Sequence, residues 1–325
     1  MIPTAWEPHA DPAALDALEK ACTAGGLQPV RDYGLGSSTT LGVGGAAALF
    51  VLLQTVEDAT VFARALAGTD SADLPVFVLG KGSNTLVADA GIDAVVVKLG
   101  AGLKWLRRDG DIAEAGAGAA MPALAAWLAT EGLAGLEFAA GIPATVGGSV
   151  RMNAGAHGGE VATRLVSVDV VLPAGSQVET LAAADLGFAY RRSALPERSV
   201  VLAARWALTP ADPAAIRADL DELRAWRRRT QPLRERNCGS VFTNPPGDSA
   251  GRLVEAAGLK GFRVGGVRVS DKHANFVVVE RATDGGLLAT AADVRALIGH
   301  VRATVADASG VVLEPEVRLV GSFSG

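Results

Sequence analysis

Three polar residues, Arg191, Ser240 and Glu316, stand at the ends of apolar segments that lie far apart in the sequence. An arginine binds a carboxylate or enolate through two parallel hydrogen bonds, a serine hydroxyl can deliver a proton, and a glutamate can orient or polarise a substrate. Together they suit proton-coupled chemistry on an anionic substrate. On spacing alone each also has a structural interpretation, because Ser240 could cap a turn and Glu316 could pair with Arg318.

Two glycine-rich stretches are typical of ligand-binding backbone. The longer one runs from Gly135 to Glu160, and the shorter one, Gly80 to Thr85, directly follows a predicted strand. Glycine allows backbone N–H groups to face a ligand, and successive N–H groups form concave anion sites. The pair therefore predicts a ligand with a diphosphate and a flat ring system. A plain connecting loop and a tight hairpin-like turn are the alternatives.

Neither stretch matches a common nucleotide-binding motif. No helix follows Thr85, so the shorter stretch is neither a Walker A loop nor a Rossmann turn. A third cluster, Gly34 to Gly45, contains a GxG sequence, but it lacks the third Rossmann glycine and a preceding apolar strand. That cluster is weak support for dinucleotide binding.

The composition limits the class of protein. With 325 residues the chain is long enough for about two domains, and its net charge of -5 does not favour a nucleic-acid partner. Two cysteines and four histidines predict neither a disulfide framework nor a metal site. The longest strongly apolar run, Ala46 to Leu53, is too short to span a membrane, and no secretory signal is visible. We therefore expect a cytoplasmic protein without a membrane partner.

Periodicity and capping signals predict the elements that position these residues. A strand, a helix with a Thr55–Asp58 capping box and a second strand imply a parallel crossover, and a second capping box at Thr290–Asp293 starts a late helix. A helix beginning at Pro213 has a strongly basic end, interpreted either as a solvated terminus or as a funnel for an anionic ligand. The predicted elements are strands at 46–53, 75–79, 94–100, 111–119, 166–172 (with Val166, Val168 and Val170 on one face), 178–181, 200–208, 262–269 and 311–320, and helices at 12–22, 55–68, 121–131, 213–229, 250–257 and 290–305.

Seven ordered motifs make the sequence resemble the UDP-N-acetylenolpyruvoylglucosamine reductase family, flavoenzymes of bacterial peptidoglycan precursor synthesis. They are GKGSN at Gly80–Asn84, GIPATVGGSVRMNAGAHG at Gly141–Gly158, YRRS at Tyr190–Ser193, GSVFTNP at Gly239–Pro245, AGRLVEAAGLKG at Ala250–Gly261, KHANF at Lys272–Phe276 and LEPEVR at Leu313–Arg318. The resemblance covers the chain from about Gly34 to Val320. It implies an α+β protein with an FAD-binding domain of the vanillyl-alcohol-oxidase type, made of two α/β subdomains, and a C-terminal α+β substrate domain.

The resemblance also assigns roles to residues. It implies that Arg191 binds the enolpyruvyl carboxylate, that Ser240 donates a proton to the substrate carbanion, and that Glu316 helps to stabilise the enolic intermediate. FAD would be the cofactor and NADPH the co-substrate, with UDP-N-acetylmuramate as product. The implied FAD-binding residues are Gly80, Lys81, Gly82, Ser83, Asn84, Thr85, Gly141, Ile142, Thr145, Val146, Gly147, Gly148, Asn153, Ala154 and Gly155, and the implied substrate-binding residues are Tyr190, Asn244, Lys272 and His273.

The sequence departs from the family pattern at a few positions. Ala144 stands where glycine is commoner and His157 where an aromatic residue is usual, and the short stretch from Asn244 to Ala250 leaves no room for the tyrosine-bearing lid of one subclass. The arginine cluster from Arg224 to Arg236 is the predicted replacement for that lid's diphosphate contact. We expect a nucleotide-sugar substrate, a monomer, and three parts: a peripheral segment at 1–30, the FAD-binding domain at 31–208 and the substrate domain at 209–325.

Two other functions fit parts of the pattern. A different oxidase or dehydrogenase of the same flavin superfamily would act on an alcohol or hydroxy acid, but it would lack the motifs around Ser240 and Glu316. A flavin- or nucleotide-sugar-binding protein without turnover would not need a suitable residue type at all three reactive positions. Arg191, Ser240 and Glu316 therefore favour the reductase.

Overall fold

The computed structural model describes residues 5–68, 73–173, 175, 177–280 and 286–323. The helices in this part of the chain are α1 Pro12–Ala24, α2 Val56–Ala67, α3 Met121–Glu131, α4 Val146–Arg151, α5 Pro213–Thr230, α6 Ala250–Ala256 and α7 Ala291–Ser309. The strands are β1 Val30–Gly34, β2 Ala46–Leu53, β3 Val76–Val78, β4 Thr85–Val87, β5 Ile92–Leu99, β6 Leu106–Asp109, β7 Ile112–Gly116, β8 Leu133–Ala134, β9 Gly155–Ala156, β10 Gly159–Glu160, β11 Leu165–Val171, β12 Val178–Ala182, β13 Val200–Ala207, β14 Thr209–Pro210, β15 Arg236–Ser240, β16 Arg263–Val264, β17 Val267–Val269, β18 Phe276–Val279 and β19 Arg318–Val320.

The first sheet has the strand order β1-β2-β5-β3, and β2 and β3 both run parallel to β5. Helix α2 connects β2 to β3 and begins at the predicted capping box, in which Thr55 and Asp58 bond each other's backbone N–H groups. The parallel crossover is therefore confirmed, with β5 inserted between its two strands. Helix α1 buries Leu15, Leu18 and Cys22 in the core it shares with α2. This part of the predicted peripheral segment belongs to the first sheet's core.

The second sheet is antiparallel, with the order β12-β11-β13-β7-β6. It confirms the predicted hairpin of β11 and β12, and its core includes the fully buried Trp206, whose indole N–H donates to the Val161 carbonyl oxygen at 3.3 Å. The prediction that Val166 shares a buried face with Val168 and Val170 is wrong: Val166 is 43% exposed. A register shift between Leu165 and Ser167 interrupts the alternation there, as β-bulges do.

A salt-bridge network crosses this sheet and makes a stability prediction possible. Arg205 donates to both carboxylate oxygens of Asp169 at 2.8 and 2.7 Å, and Thr180 donates to the same carboxylate at 2.7 Å. Burial acts to raise the pKa of Asp169, but these hydrogen bonds outweigh it and lower that pKa. A lowered carboxyl pKa stabilises the fold above the unfolded value of about 3.9, and the stabilisation is lost as the pH falls through the folded pKa.

We expect Asp169→Asn to reduce the free energy of unfolding by about 1–3 kcal/mol at pH 7, because the amide NH₂ of asparagine opposes the Arg205 donors. Urea unfolding at pH 7 and near pH 3 measures this, and the difference from the wild type should shrink at the lower pH. Replacing the exposed Asp219 by Asn is the matched control. An equal loss at both pH values would show that the carboxylate charge is not responsible.

The third sheet, β15-β18-β17-β16, is antiparallel and packs with α6 and α7. The second capping box is confirmed at Thr290 and Asp293, and the predicted apolar stripe of α7 is buried. The single strand predicted for 262–269 is instead the hairpin of β16 and β17. It turns at Gly265, whose φ of 51° lies in the left-handed region that glycine tolerates.

The long strand predicted for 311–320 is also wrong, because only its last three residues form a strand. Pro315 lacks an N–H group for strand pairing, and it makes only an isolated bridge to Phe242. The remaining strand, β19, returns to the N-terminal half of the protein and pairs in parallel with β4. On its other side, the Trp6 N–H donates to the Leu319 carbonyl oxygen at 3.0 Å.

Helix α5 packs with the second sheet, although the sequence places it after a predicted boundary. Ile216 and Leu220 are buried in the same core as α3, and β14 pairs with β8. We propose that the domain boundary lies after α5 and not at residue 209. In the described ranges, no helix has the length and hydropathy needed to cross a membrane, and no three histidine, cysteine or acidic side chains cluster as metal ligands would.

Candidate functional site

The turn between β3 and β4 presents unpaired backbone donors. Gly82 has a φ of 65°, and the N–H groups of Lys81, Gly82 and Ser83 have no backbone acceptor within the described part of the chain. Thr40 donates its backbone N–H to the Gly82 carbonyl oxygen at 3.2 Å, which joins this turn to the 36–40 segment. Consecutive free N–H groups around a left-handed residue form an anion site. The shorter glycine-rich stretch therefore has the predicted backbone geometry.

This turn borders a cavity of about 720 Å³, which we call the lysine cavity. Four cationic side chains line it, Lys81, Lys98, Lys104 and Arg151, and no aspartate or glutamate among the described residues does. The hydroxyl-rich segment Ser37–Thr40 lines the same cavity. An excess of positive charge in the lining favours a polyanionic ligand.

The longer glycine-rich stretch is mostly regular structure and not one long backbone nest. It contains a 3-10 helix at Glu137–Gly141, helix α4 and the β9–β10 hairpin. The N–H groups of Val146 and Gly147 donate to the Ala119 and Ala117 carbonyl oxygens at 2.8 and 2.9 Å. The prediction of free donors is therefore wrong at the start of α4.

Glycines in and around this stretch serve close packing instead. A Cβ at Gly147 would lie 3.1 Å from the Ala117 Cβ, and one at Gly80 would lie 2.6 Å from the Thr145 hydroxyl oxygen. These glycines therefore allow α4 to approach both sheets of the N-terminal part. Close approach of these glycines to a ligand stays a prediction.

A second cavity, of about 460 Å³, brings together Arg191, Ser240 and Glu316, and we call it the glutamate cavity. It shares seven lining residues with the lysine cavity, so the two form one continuous site. Most of the other residues predicted for the site also line the glutamate cavity: Gly80, Lys81, Gly82, Ser83, Asn84, Thr85, Gly141, Ile142, Thr145, Gly148, Ala154, Gly155, Asn244 and His273. Gly147 lines the lysine cavity.

Arg191 and Glu316 form an ion pair at the centre of this cavity. The Arg191 Nε donates to Glu316 Oε1 at 2.7 Å, and the Arg191 Nη2 donates to the Gly155 carbonyl oxygen at 3.1 Å. The Arg191 backbone has a φ of 57°, an uncommon conformation for a non-glycine residue that often marks functional sites. Glu316 therefore pairs with Arg191 and not with its sequence neighbour Arg318.

The surroundings of Glu316 alter its acidity. Burial raises the pKa of Glu316 above its ordinary value, and the charge and hydrogen bond of Arg191 oppose that rise. The Glu316 backbone is held from two sides, because its N–H donates to the Val241 carbonyl oxygen at 2.7 Å and its carbonyl oxygen accepts from the Asn84 side chain at 3.0 Å. The Asn84 contact ties the carboxylate's segment to the glycine turn.

Ser240 ends β15 at an irregular point in the third sheet. A register shift separates the Asn237 and Ser240 pairings with β18, and Gly239 between them has a φ of 75°. Such a bulge redirects the side chains beside it. The neighbouring Cys238 is buried, and burial raises the pKa of its thiol to about 12, so it stays protonated. Ser240 and Cys238 both line the glutamate cavity, and the bulge at Gly239 separates them.

Four predicted site residues line neither cavity. Val146 and Asn153 are buried, and the Asn153 side chain donates to the Ala189 carbonyl oxygen at 3.1 Å and accepts from the Ala162 N–H at 3.1 Å. Tyr190 is 60% exposed. The Lys272 ammonium donates to the Arg228 carbonyl oxygen at the end of α5. The structure therefore gives Asn153 and Lys272 supporting contacts outside the cavities.

The basic end of α5 contributes one arginine to the site. Arg227 lines the glutamate cavity, and its guanidinium is oriented by Gln231 Oε1 at 2.9 Å and by the Ala140 carbonyl oxygen at 3.3 Å. Arg228 and Arg229 are exposed. Arg228 and Arg229 therefore fit the solvated terminus, and Arg227 lies where the anion-funnel interpretation would place it, which stays a prediction.

Several lining residues were not assigned from the sequence. The Ser37–Thr40 segment lies in the cluster that failed the dinucleotide pattern, although hydroxyls beside glycines were a usable signal. Trp226 and Arg318 line the glutamate cavity, and His157 lines it with its ring edge against the Trp226 ring at 4.7 Å between centroids. Burial and the charge of Arg227 lower the pKa of His157, which keeps it neutral near pH 7.

Comparison with known proteins agrees with this geometry. A family model described as an FAD binding domain matches residues 47–181, and one described as the C-terminal domain of UDP-N-acetylenolpyruvoylglucosamine reductase matches residues 231–320. A UDP-N-acetylenolpyruvoylglucosamine reductase of Anaeromyxobacter sp. (strain Fw109-5) is 45% identical over 294 residues, which cover 90% of this chain and 89% of the relative. The chain belongs to the UDP-N-acetylenolpyruvoylglucosamine reductase family.

Other members of the reductase family match over similar lengths. The Levilactobacillus brevis relative is 41% identical over 297 residues, covering 91% of this chain and 94% of the relative. The crystal structure of the Thermus caldophilus reductase superposes with a TM-score of 0.74 at 35% identity, covering 90% of this chain and 98% of that one. The family and the FAD-binding domain make this chain an FAD-dependent oxidoreductase with the expected α+β fold.

Proposed function

We propose that this reductase uses NADPH to convert UDP-N-acetylglucosamine enolpyruvate to UDP-N-acetylmuramate in peptidoglycan precursor biosynthesis. The observation that carries the proposal is the Arg191–Glu316 ion pair beside Ser240, in a cavity that continues into the cationic lysine cavity. One cavity suits the diphosphate end of FAD, and the other suits an anionic substrate next to the flavin ring.

The residues present fit FAD. The unpaired N–H groups at Lys81, Gly82 and Ser83 and the four cations of the lysine cavity suit its diphosphate, and Thr145, which lines both cavities, lies where they meet. A bound FAD would supply the hydride chemistry between NADPH and the enolpyruvyl group. The chain's own residues then have to bind, orient and protonate the substrate.

Arg191 binds and orients the substrate carboxylate. Its Nε and one Nη2 hydrogen are occupied by Glu316 and Gly155, so its remaining Nη hydrogens can form two parallel bonds to a carboxylate. That contact withdraws charge from the carboxylate as the enolic intermediate develops. Ser240 Oγ then supplies the proton to the carbon next to the one that received the hydride, and Glu316 stabilises the enolic form.

The rest of the nucleotide sugar has cationic partners in the same cavity. Arg227 and Arg318 line it, and Glu316 is its one acidic lining residue among those described. We propose that Arg227 contacts the substrate diphosphate, since Gln231 and the Ala140 carbonyl already orient its guanidinium. Asn244 and His273 stay predicted substrate contacts.

We expect Arg191→Lys to lower kcat/KM for the nucleotide sugar by about 10- to 100-fold. The planar arginine guanidinium can bind Glu316 and a substrate carboxylate at the same time, and a lysine ammonium cannot reproduce that geometry. Steady-state kinetics measures this, with the exposed Arg229→Lys as control. If only KM changed, and by less than about threefold, the carboxylate would bind elsewhere.

The function itself is tested by the flavin spectrum of the purified protein under anaerobic conditions. NADPH should bleach the flavin band, and UDP-N-acetylglucosamine enolpyruvate should restore it with formation of UDP-N-acetylmuramate. Bleaching without recovery would retain the flavin assignment but reject the substrate.

A further inference from the structure

Lys98 is a charged residue on a buried strand that the proposed reaction does not use. It follows Val95, Val96 and Val97 on β5, all of which are fully buried, and it lines the lysine cavity. Its ammonium donates to the Gly80 carbonyl oxygen at 3.1 Å and to the Ser38 carbonyl oxygen at 3.5 Å. Within the described ranges no carboxylate forms a salt bridge with it. A partly buried charge that is paired only with backbone carbonyls has a cost that the fold alone does not explain.

The two carbonyls belong to the two segments that border the cavity. Ser38 lies in the 36–40 segment, and Gly80 opens the turn with the unpaired N–H groups. In a trans peptide the N–H points away from the carbonyl. The Gly80 carbonyl accepts from Lys98, so the Lys81 N–H of the same peptide is directed to the opposite side, where it has no backbone acceptor. The ammonium thus sets the direction in which this donor points.

We propose that Lys98 is a positioning residue for the FAD diphosphate: it holds the 36–40 segment and the 80–85 turn together and directs the turn's N–H donors at the bound anion. The proposal rests on the placement of FAD in the lysine cavity. Lys98 acts through the backbone of Gly80 and Ser38, and its charge adds to that of Lys81, Lys104 and Arg151 around the same space.

The acidity of Lys98 gives the proposal a measurable signature. Burial and the charge of Lys104 lower the pKa of the Lys98 ammonium. As the pH rises through that lowered pKa, the ammonium becomes a neutral amine, its positive charge is lost and its hydrogen bonds to the two carbonyls weaken, so the affinity for FAD should fall. An arginine keeps its proton throughout this range, so Lys98→Arg should flatten the pH dependence.

The experiment compares FAD release from the holoenzyme of three variants, followed by the recovery of flavin fluorescence on dilution. We expect Lys98→Met to weaken FAD binding by about 10- to 100-fold, as loss of a hydrogen bond to a charged group does. Lys98→Arg should restore most of the affinity. Lys20→Met, which removes an exposed lysine that lines neither cavity, should bind FAD as the wild type does.

The melting temperatures of the FAD-free proteins show whether Lys98 acts on cofactor binding or on the stability of the fold. The proposal requires that FAD-free Lys98→Met has the same melting temperature as the FAD-free wild type. The variant should nevertheless bind FAD more weakly. It is overturned if Lys98→Met binds FAD normally, or if the arginine variant is as weak as the methionine variant and both melt early. A wild type that holds FAD but does not reduce the nucleotide sugar would reject the proposed function and leave this result intact.

Discussion

Ser240→Ala should lower kcat by about 10²- to 10³-fold, the usual cost of removing one group that acts in the transition state. Ser240 lines the cavity that holds the Arg191–Glu316 pair, and the nearby Cys238 side chain is almost fully buried. NADPH should still bleach the flavin of this variant, because in the proposed mechanism the hydroxyl acts only on the substrate. Stopped-flow absorbance separates the two half-reactions.

The matched control is Ser309→Ala at the end of α7, which removes a hydroxyl that donates to the Val305 carbonyl oxygen outside both cavities and should leave both half-reactions unchanged. A Ser240→Ala enzyme with near-native kcat would assign the proton to another group. A variant in which reduction by NADPH also slowed would show that Ser240 affects the flavin environment and not only the substrate.

Gly82→Ala should raise the dissociation constant for FAD by about 10²- to 10³-fold. A Cβ at Gly82 would lie 2.7 Å from both the Ser38 carbonyl oxygen and the Thr39 Cα, so the two segments must separate. The left-handed φ adds about 1–2 kcal/mol for an L-residue, and misdirected N–H donors cost about 1.5–3 kcal/mol more. Flavin content after purification and FAD titration measure the loss.

Gly110→Ala is the control for backbone strain, because Gly110 has a φ of 57° and, among the described residues other than Gly110 and its two chain neighbours, no atom lies within 4 Å of the added Cβ. It should cost stability without affecting FAD. Equal FAD affinity in the two variants would mean that contact between the 36–40 segment and the turn is not required for binding.

Local signals in the sequence predicted much of the fold. The capping boxes at Thr55 and Thr290 are complete within four residues, so helices α2 and α7 begin where expected. Strand β2 was predicted with its observed bounds. The turn at Gly80–Thr85 follows directly from a buried strand that ends in small residues. Features that depend only on residues close together in the sequence could therefore be predicted.

Features decided between distant segments could not. The exposure of Val166 depends on a register shift against β13. The partner of Glu316 is Arg191 and not Arg318, a choice that only the meeting of the two halves of the chain determines. Glycine content also could not show that the Gly147 N–H is hydrogen-bonded while the Lys81 N–H has no backbone acceptor among the described residues. The acceptor of the Gly147 N–H, the Ala117 carbonyl oxygen, lies in a distant segment.

The pairing of β4 with β19 has a consequence for how the protein matures. Translation delivers β4, with the adjoining glycine turn, early, but its partner leaves the ribosome only after almost all of the remaining sequence. Glu316, which accepts from Asn84 of that turn, arrives equally late. The nascent chain can therefore build its first two sheets while the turn is still open on one side. Stable loading of the flavin should then follow the docking of β19.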